Sequence, residues 1–136
     1  MRWRTYLTAL YLLTATIAHV PVARSEDQTQ LQSLPAGCSE VIDVADLDEK
    51  GIRRVHGSPP KYPKAQIDRG MQGEVVLEIV IAKDGRVVDM KVVTSSGDDF
   101  TQAAIRATKD WQYTPPEVDG HPACVRTKIT DHFWLE

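Results

Sequence analysis

From Glu74 to Trp134 the hydrophobic positions change period, and each period predicts an element. Over Glu74 to Ala82 the apolar residues alternate, with Val75, Leu77, Ile79 and Ile81 on one face and Val76, Glu78 and Val80 on the other, which is the signature of a strand. Lys83-Asp84-Gly85-Arg86 breaks the run with turn residues that tolerate positive φ, so Arg86 to Thr94 is read as the partner strand of a hairpin. Ser95-Ser96-Gly97-Asp98-Asp99 is turn and N-cap chemistry, and its two aspartates complement the positive end of a helix dipole. Phe100, Ala103, Ala104, Ala107, Thr108 and Trp111 then follow at helical spacing, and Pro115-Pro116 stops that helix. Near the C-terminus Val125, Ile129 and Phe133 alternate with Arg126, Lys128, Thr130, His132 and Trp134, a strand with one polar face.

Upstream the pattern is weaker. Tyr62-Pro63 opens a helix of about seven residues, because proline fits the first turn and Gly70 fits the left-handed position beyond its end. Val41, Ile42, Val44, Ala45 and Leu47 suit either a short strand or one helical turn, and so short a run leaves both open. Arg24 to Leu34 is polar and aperiodic, the composition of a flexible leader. Helix, hairpin, helix and strand in this order define an α+β fold: a small antiparallel three-stranded sheet, with room for one extra N-terminal strand, and two helices packed on one face.

The first residues change the picture of compartment. Arg2 and Arg4 precede an apolar stretch, Tyr6 to Ile17, that ends near small residues, as an export signal does, with cleavage expected after Ala18 or Ala23. The alternative is an uncleaved membrane anchor, since no charge occurs between Arg4 and Arg24. His19 and Pro21 leave the apolar stretch shorter than the ~20 residues that a spanning helix needs. The expected organisation is a signal over 1–23, a leader and N-terminal extension over 24–56, and one domain over 57–136. Export to the periplasm makes Cys38 and Cys124 candidates for a disulfide that would stabilise so small a domain; two unpaired thiols are the alternative.

Charge and side-chain chemistry exclude more than they suggest. The 136 residues carry a formal charge of −3 with scattered Lys and Arg, so there is no footprint for nucleic acid. The nearest approach to a metal signature is His121 and Cys124 with His132 farther on, an incomplete ligand set. Asp98 and Asp99 are adjacent rather than facing, and Ser95 and Ser96 have no base nearby, so no nucleophile, base and orienter assemble. The chain reads as a non-enzyme, with no metal or cofactor expected.

The ordered series Tyr62-Pro63, Gly70-Met71-Gln72-Gly73, a strand, Asp84-Gly85, a strand, Ser95-Ser96-Gly97, a helix, then Trp111-Gln112-Tyr113-Thr114-Pro115 resembles the C-terminal domain of the TonB family over roughly residues 57 to 136. That family consists of periplasmic energy transducers that dock on outer-membrane receptors. The resemblance implies that the last strand lies at a sheet edge and captures a short acidic and apolar receptor segment, the TonB box. It gives Lys61, Tyr62 and Pro63 a contact role, and by position it places Arg126, Lys128, Thr130 and His132 along the edge. For Tyr62 the alternative is a staple onto the core; for the edge residues it is a solvated protective face. Trp111 and Tyr113 are read as core.

Two features separate this chain from a full transducer: the stretch from Arg24 to Gly57 holds a single proline, Pro35, in place of a long Pro-rich spacer, and Ala15 stands where family anchors carry Ser four residues before His19. The expectation is therefore a secreted module that binds an outer-membrane receptor or another envelope protein. The alternatives are a short anchored transducer that engages inner-membrane motor proteins for uptake of iron complexes or cobalamin, and a structural protein that self-associates as a strand-exchanged homodimer. Glu40 to Ala45 is itself acidic at the start, β-branched and free of proline. With Cys38 before it and Cys124 at the start of the edge, Val41 to Ala45 is expected to dock as an extra strand and shield that edge until a receptor peptide or reduction displaces it; a plain packing segment is the alternative.

Overall fold

A computed structural model describes residues 34–136. The expected export signal and nearly all of the leader lie outside the described residues. In chain order the elements are β1 (Val41–Asp43), β2 (Arg54–His56), α1 (Lys64–Asp68), β3 (Gly73–Ile81), β4 (Val87–Ser95), α2 (Asp98–Thr108), β5 (Gln112–Tyr113), β6 (Glu117–Val118), β7 (His121–Pro122) and β8 (Cys124–Phe133). The main sheet has the order β1-β8-β3-β4, with β2-β5 and β6-β7 as small two-stranded ribbons.

The two long antiparallel ladders are those the alternation predicts. Val75, Leu77, Ile79 and Ile81 of central β3 are fully buried, and they meet Phe100, Ala103 and Ala104 of α2 with Val125 and Phe133 of β8. The hairpin closes where Ala82 pairs with Arg86 and Gly85 takes φ +86°. Any side chain there would collide with the Tyr113 carbonyl oxygen, so glycine is required twice over, by φ and by space. Asp84 accepts from the Arg86 N–H and pairs with its guanidinium at 2.7 Å, which holds the Asp84 carboxyl below the usual range.

α1 is shorter than expected. Pro63 caps it with φ −65°, the chain leaves it at Gly70 with φ +63°, and none of its residues is buried. It is attached by neighbours instead: Gln66 donates to Asp99 at the start of α2, and Tyr62 just before it packs edge-on against Phe100 and Phe133. α2 ends at Thr108, so Trp111 follows the helix rather than belonging to it. It is nonetheless core, as is Tyr113, and its indole N–H donates to the Ser58 carbonyl while the Arg54 guanidinium lies 4.1 Å over its ring.

The N-terminal extension is part of the folded body. Val44 and Ile52 join the main core, and β2 pairs with β5. On the opposite face of the sheet Cys38 and Cys124 are bonded and buried with Val80 and Ala82 in a second, smaller cluster. The ambiguous run after Cys38 is a strand, β1, and it lies parallel to β8, with Val41, Ile42 and Asp43 opposite Cys124, Val125 and Arg126. The sheet is thus mixed: an antiparallel core of β8, β3 and β4 with a short parallel addition.

Candidate functional site

The sheet offers two outer edges, and they differ in quality. β4 departs from regular register against β3 at two places, near Val76–Leu77 and near Val80–Ile81, and such bulges blunt an edge against further pairing. β8 runs beside β3 in unbroken register from Val125 opposite Ile81 to Phe133 opposite Gly73. Its other side meets only β1, which covers Cys124 to Arg126. Beyond Arg126, no strand among the described residues occupies that side of β8.

The polarity of this open stretch follows from one hydrogen bond. The Val44 N–H donates to the Arg126 carbonyl at 2.8 Å, so Arg126 turns its backbone groups towards the outer lane. The two-residue period of a strand turns those of Lys128, Thr130 and His132 the same way, while Thr127, Ile129, Asp131 and Phe133 bond to β3. A ready-made row of donors and acceptors therefore begins where β1 leaves. At that junction a cleft of about 620 Å³ opens between Asp43–Ala45, Glu78 and Arg126–Lys128.

The side chains of the lane lie on alternate faces. Lys128, Thr130 and His132 are exposed on the face away from α2, opposite Glu78, Val76 and Glu74 of β3. His132 lies 3.4 Å from the Glu74 carboxylate and stacks on Trp134, an exposed indole at the end of the strand. Arg126 is taken up by Asp43 at 3.4 Å and Glu78 at 3.8 Å, so its side chain and its backbone are both engaged with the fold.

The expected contact residues near the Tyr-Pro segment separate. Lys61 is exposed and lines a cleft of about 790 Å³ against α2, whereas Tyr62 is half-buried and donates its hydroxyl to the Met71 carbonyl at 2.7 Å. Tyr62 packs its ring on the core against Phe100 and Phe133, and Pro63 starts α1. Tyr62 also touches the end of β8 through Phe133, so this segment adjoins one end of the open lane. Cys124, part of the incomplete metal pattern, has its sulfur bonded to Cys38.

Residue-type reasoning missed Asp131. Parity alone puts it on the same face as Val125, Ile129 and Phe133, and it is 8% exposed on that core face, opposite Val75. Burial pushes its carboxyl above the usual range, with Arg54 and His132 opposing. The Tyr113 hydroxyl, also near Arg54 and Asp131, is pushed up to about 12 by burial.

The fold and its edge define a class: a small α+β domain whose main sheet keeps one regular, half-uncovered edge on β8. A family model described as the Gram-negative bacterial TonB protein C-terminal matches residues 58–135, and the chain belongs to that family. It is 32% identical over 98 residues to protein TonB of Xanthomonas campestris pv. campestris, covering 71% of this chain and 42% of that protein. Protein TonB of Vibrio cholerae is 35% identical over 78 residues, covering 57% of this chain and 32% of that one. The chain thus spans less than half the length of these curated relatives. The solution NMR structure of the Pseudomonas aeruginosa TonB CTD superposes with a TM-score of 0.56 at 26% identity, covering 72% of this chain and 97% of that one.

Proposed function

We propose that this chain is a periplasmic TonB-like module that captures an extended segment of an outer-membrane receptor, or of another envelope protein, as an added strand on β8. The observation that carries the reading is the unbroken β8 ladder whose outer backbone groups at Lys128, Thr130 and His132 have no strand beside them among the described residues. A peptide laid along it gains main-chain hydrogen bonds with little demand on side-chain identity. Family membership supports the same reading. β1 holds the lane beside Arg126, so the guest is confined to the stretch from Lys128 to Phe133. Lys128 and His132 on the exposed face favour an acidic guest residue there, tempered by Glu74 and Glu78 in the neighbouring strand.

The test is binding of a fluorescent peptide of about six residues, acidic at one end and β-branched thereafter, to the exported chain. Lys128→Pro removes an outward N–H and is expected to weaken binding at least about tenfold, whereas Lys128→Ala should change it by no more than about twofold. Normal binding by a folded Lys128→Pro protein would eliminate strand addition, and equal losses in both variants would indicate recognition by the lysine side chain.

A further inference from the structure

Among the described residues, two buried side-chain oxygens lack a hydrogen-bond partner, Thr108 Oγ1 and Asp131 Oδ2. A hydroxyl left so at the end of a helix is a small matter. A carboxylate oxygen is not, because burying an acceptor of that strength without a donor is among the costliest polar arrangements in a fold. Such a group calls for a physical explanation. Arg54 and His132 exert fields that oppose the upward shift at Asp131, but the Arg54 guanidinium lies over Trp111, and among the described residues neither side chain forms an ion pair with the carboxylate.

Position supplies the explanation. Asp131 lies within the open stretch of β8, between Thr130 and His132, and its backbone bonds to β3 opposite Val75. A guest strand in the outer lane sets alternate side chains on the α2 face, and directly opposed residues in neighbouring strands have Cβ atoms about 4.5–5.5 Å apart. One guest side chain therefore comes to rest beside Asp131.

We propose that Asp131 is a specificity-determining residue of the strand-addition edge, selecting a guest that carries a hydrogen-bond donor, such as a threonine or serine hydroxyl or a side-chain amide, at the position facing it on the α2 side. A hydroxyl there donates to the buried carboxylate oxygen. A hydrocarbon leaves that oxygen unpaired, and a guest carboxylate adds like-charge repulsion. The guest is thus polar but uncharged on its inner face at this position, whatever acidic residues it carries on its outer face. This inference rests on the strand-addition reading.

The experiment is a threonine-for-valine scan of the peptide, measured against the full exported chain, against Asp131→Leu and against Asp131→Asn. Threonine and valine have nearly the same shape, so the comparison isolates the hydroxyl. At one peptide position threonine should bind about tenfold tighter than valine to the unaltered protein. That preference should vanish in Asp131→Leu and persist in reduced form in Asp131→Asn, which keeps an acceptor; the asparagine variant also serves if leucine prevents folding. An equal threonine-to-valine ratio in the unaltered protein and the variants overturns the role of Asp131 while leaving strand addition intact. Failure of every peptide to bind, or undiminished binding by Lys128→Pro, overturns both.

Discussion

Asp131 links stability to recognition at the scale of a single residue. Its folded-state pKa is raised, mainly by burial, so in the window between the unfolded and folded values the native state binds more protons than the unfolded state. Stability contributed by this group is therefore greatest below the unfolded pKa and is lost as pH rises through the folded value. Asp131→Asn removes the buried charge and is expected to melt higher than the unaltered protein near neutral pH. The difference should shrink towards about pH 3, where the carboxyl is protonated in both states. Thermal unfolding of both proteins at the two pH values measures it, and a pH-independent difference would mean that the charge is not the cause. Parity in the sequence placed Asp131 on the inner face, but its residue type pointed outward, and only packing decides such a conflict. For Tyr62 the pattern left a contact and a staple both open, and packing adds a hydroxyl donated to the Met71 carbonyl and a ring set edge-on against Phe100 and Phe133.

At the scale of elements, the hairpin, α2 and β8 were readable because β3, α2 and β8 each have a sustained period, with turn residues marking the hairpin and the start of α2. α1 shrank to Lys64–Asp68 since none of its residues finds a place in the core to reward a longer helix. β1 carried no decisive period in its three residues; its strand identity comes from the partner it meets. The Cys38–Cys124 bond holds it there, with Cα atoms 5.9 Å apart across a sequence separation of 86. Closing a loop of that size stabilises the fold by about 4.6 kcal/mol in the chain-entropy model. A Cys38→Ser/Cys124→Ser double variant is expected to lose roughly that much, measured by denaturant unfolding. The expected shielding reaches only Cys124 to Arg126, so the same variant should raise peptide affinity modestly by letting β1 leave the lane next to Arg126. Unchanged affinity would show that β1 stays paired without its covalent tie.

For the whole molecule, the proposal of an exported module leads to a test of compartment. Fractionation is expected to recover the chain in the soluble periplasmic fraction with its N-terminus after Ala18 or Ala23, whereas retention with the inner membrane would favour an anchored transducer. Within the described residues no helix is long and apolar enough to cross a membrane. By itself the sequence determined the α+β class, the β3–β4 hairpin, the α2 stripe, the alternation of β8 and the ordered motif series of the family, because these depend on local periodicity and on residues whose backbone preferences act within a few positions. Only the tertiary structure decided that Val44 and Ile52 complete the core, that β1 runs parallel to β8 and stops at Arg126, and that Asp131 is buried with an unpartnered oxygen. Those outcomes depend on which segments distant in sequence come to lie side by side. Local pattern does not encode that choice; burial of the shared apolar surface and pairing of the remaining backbone groups do.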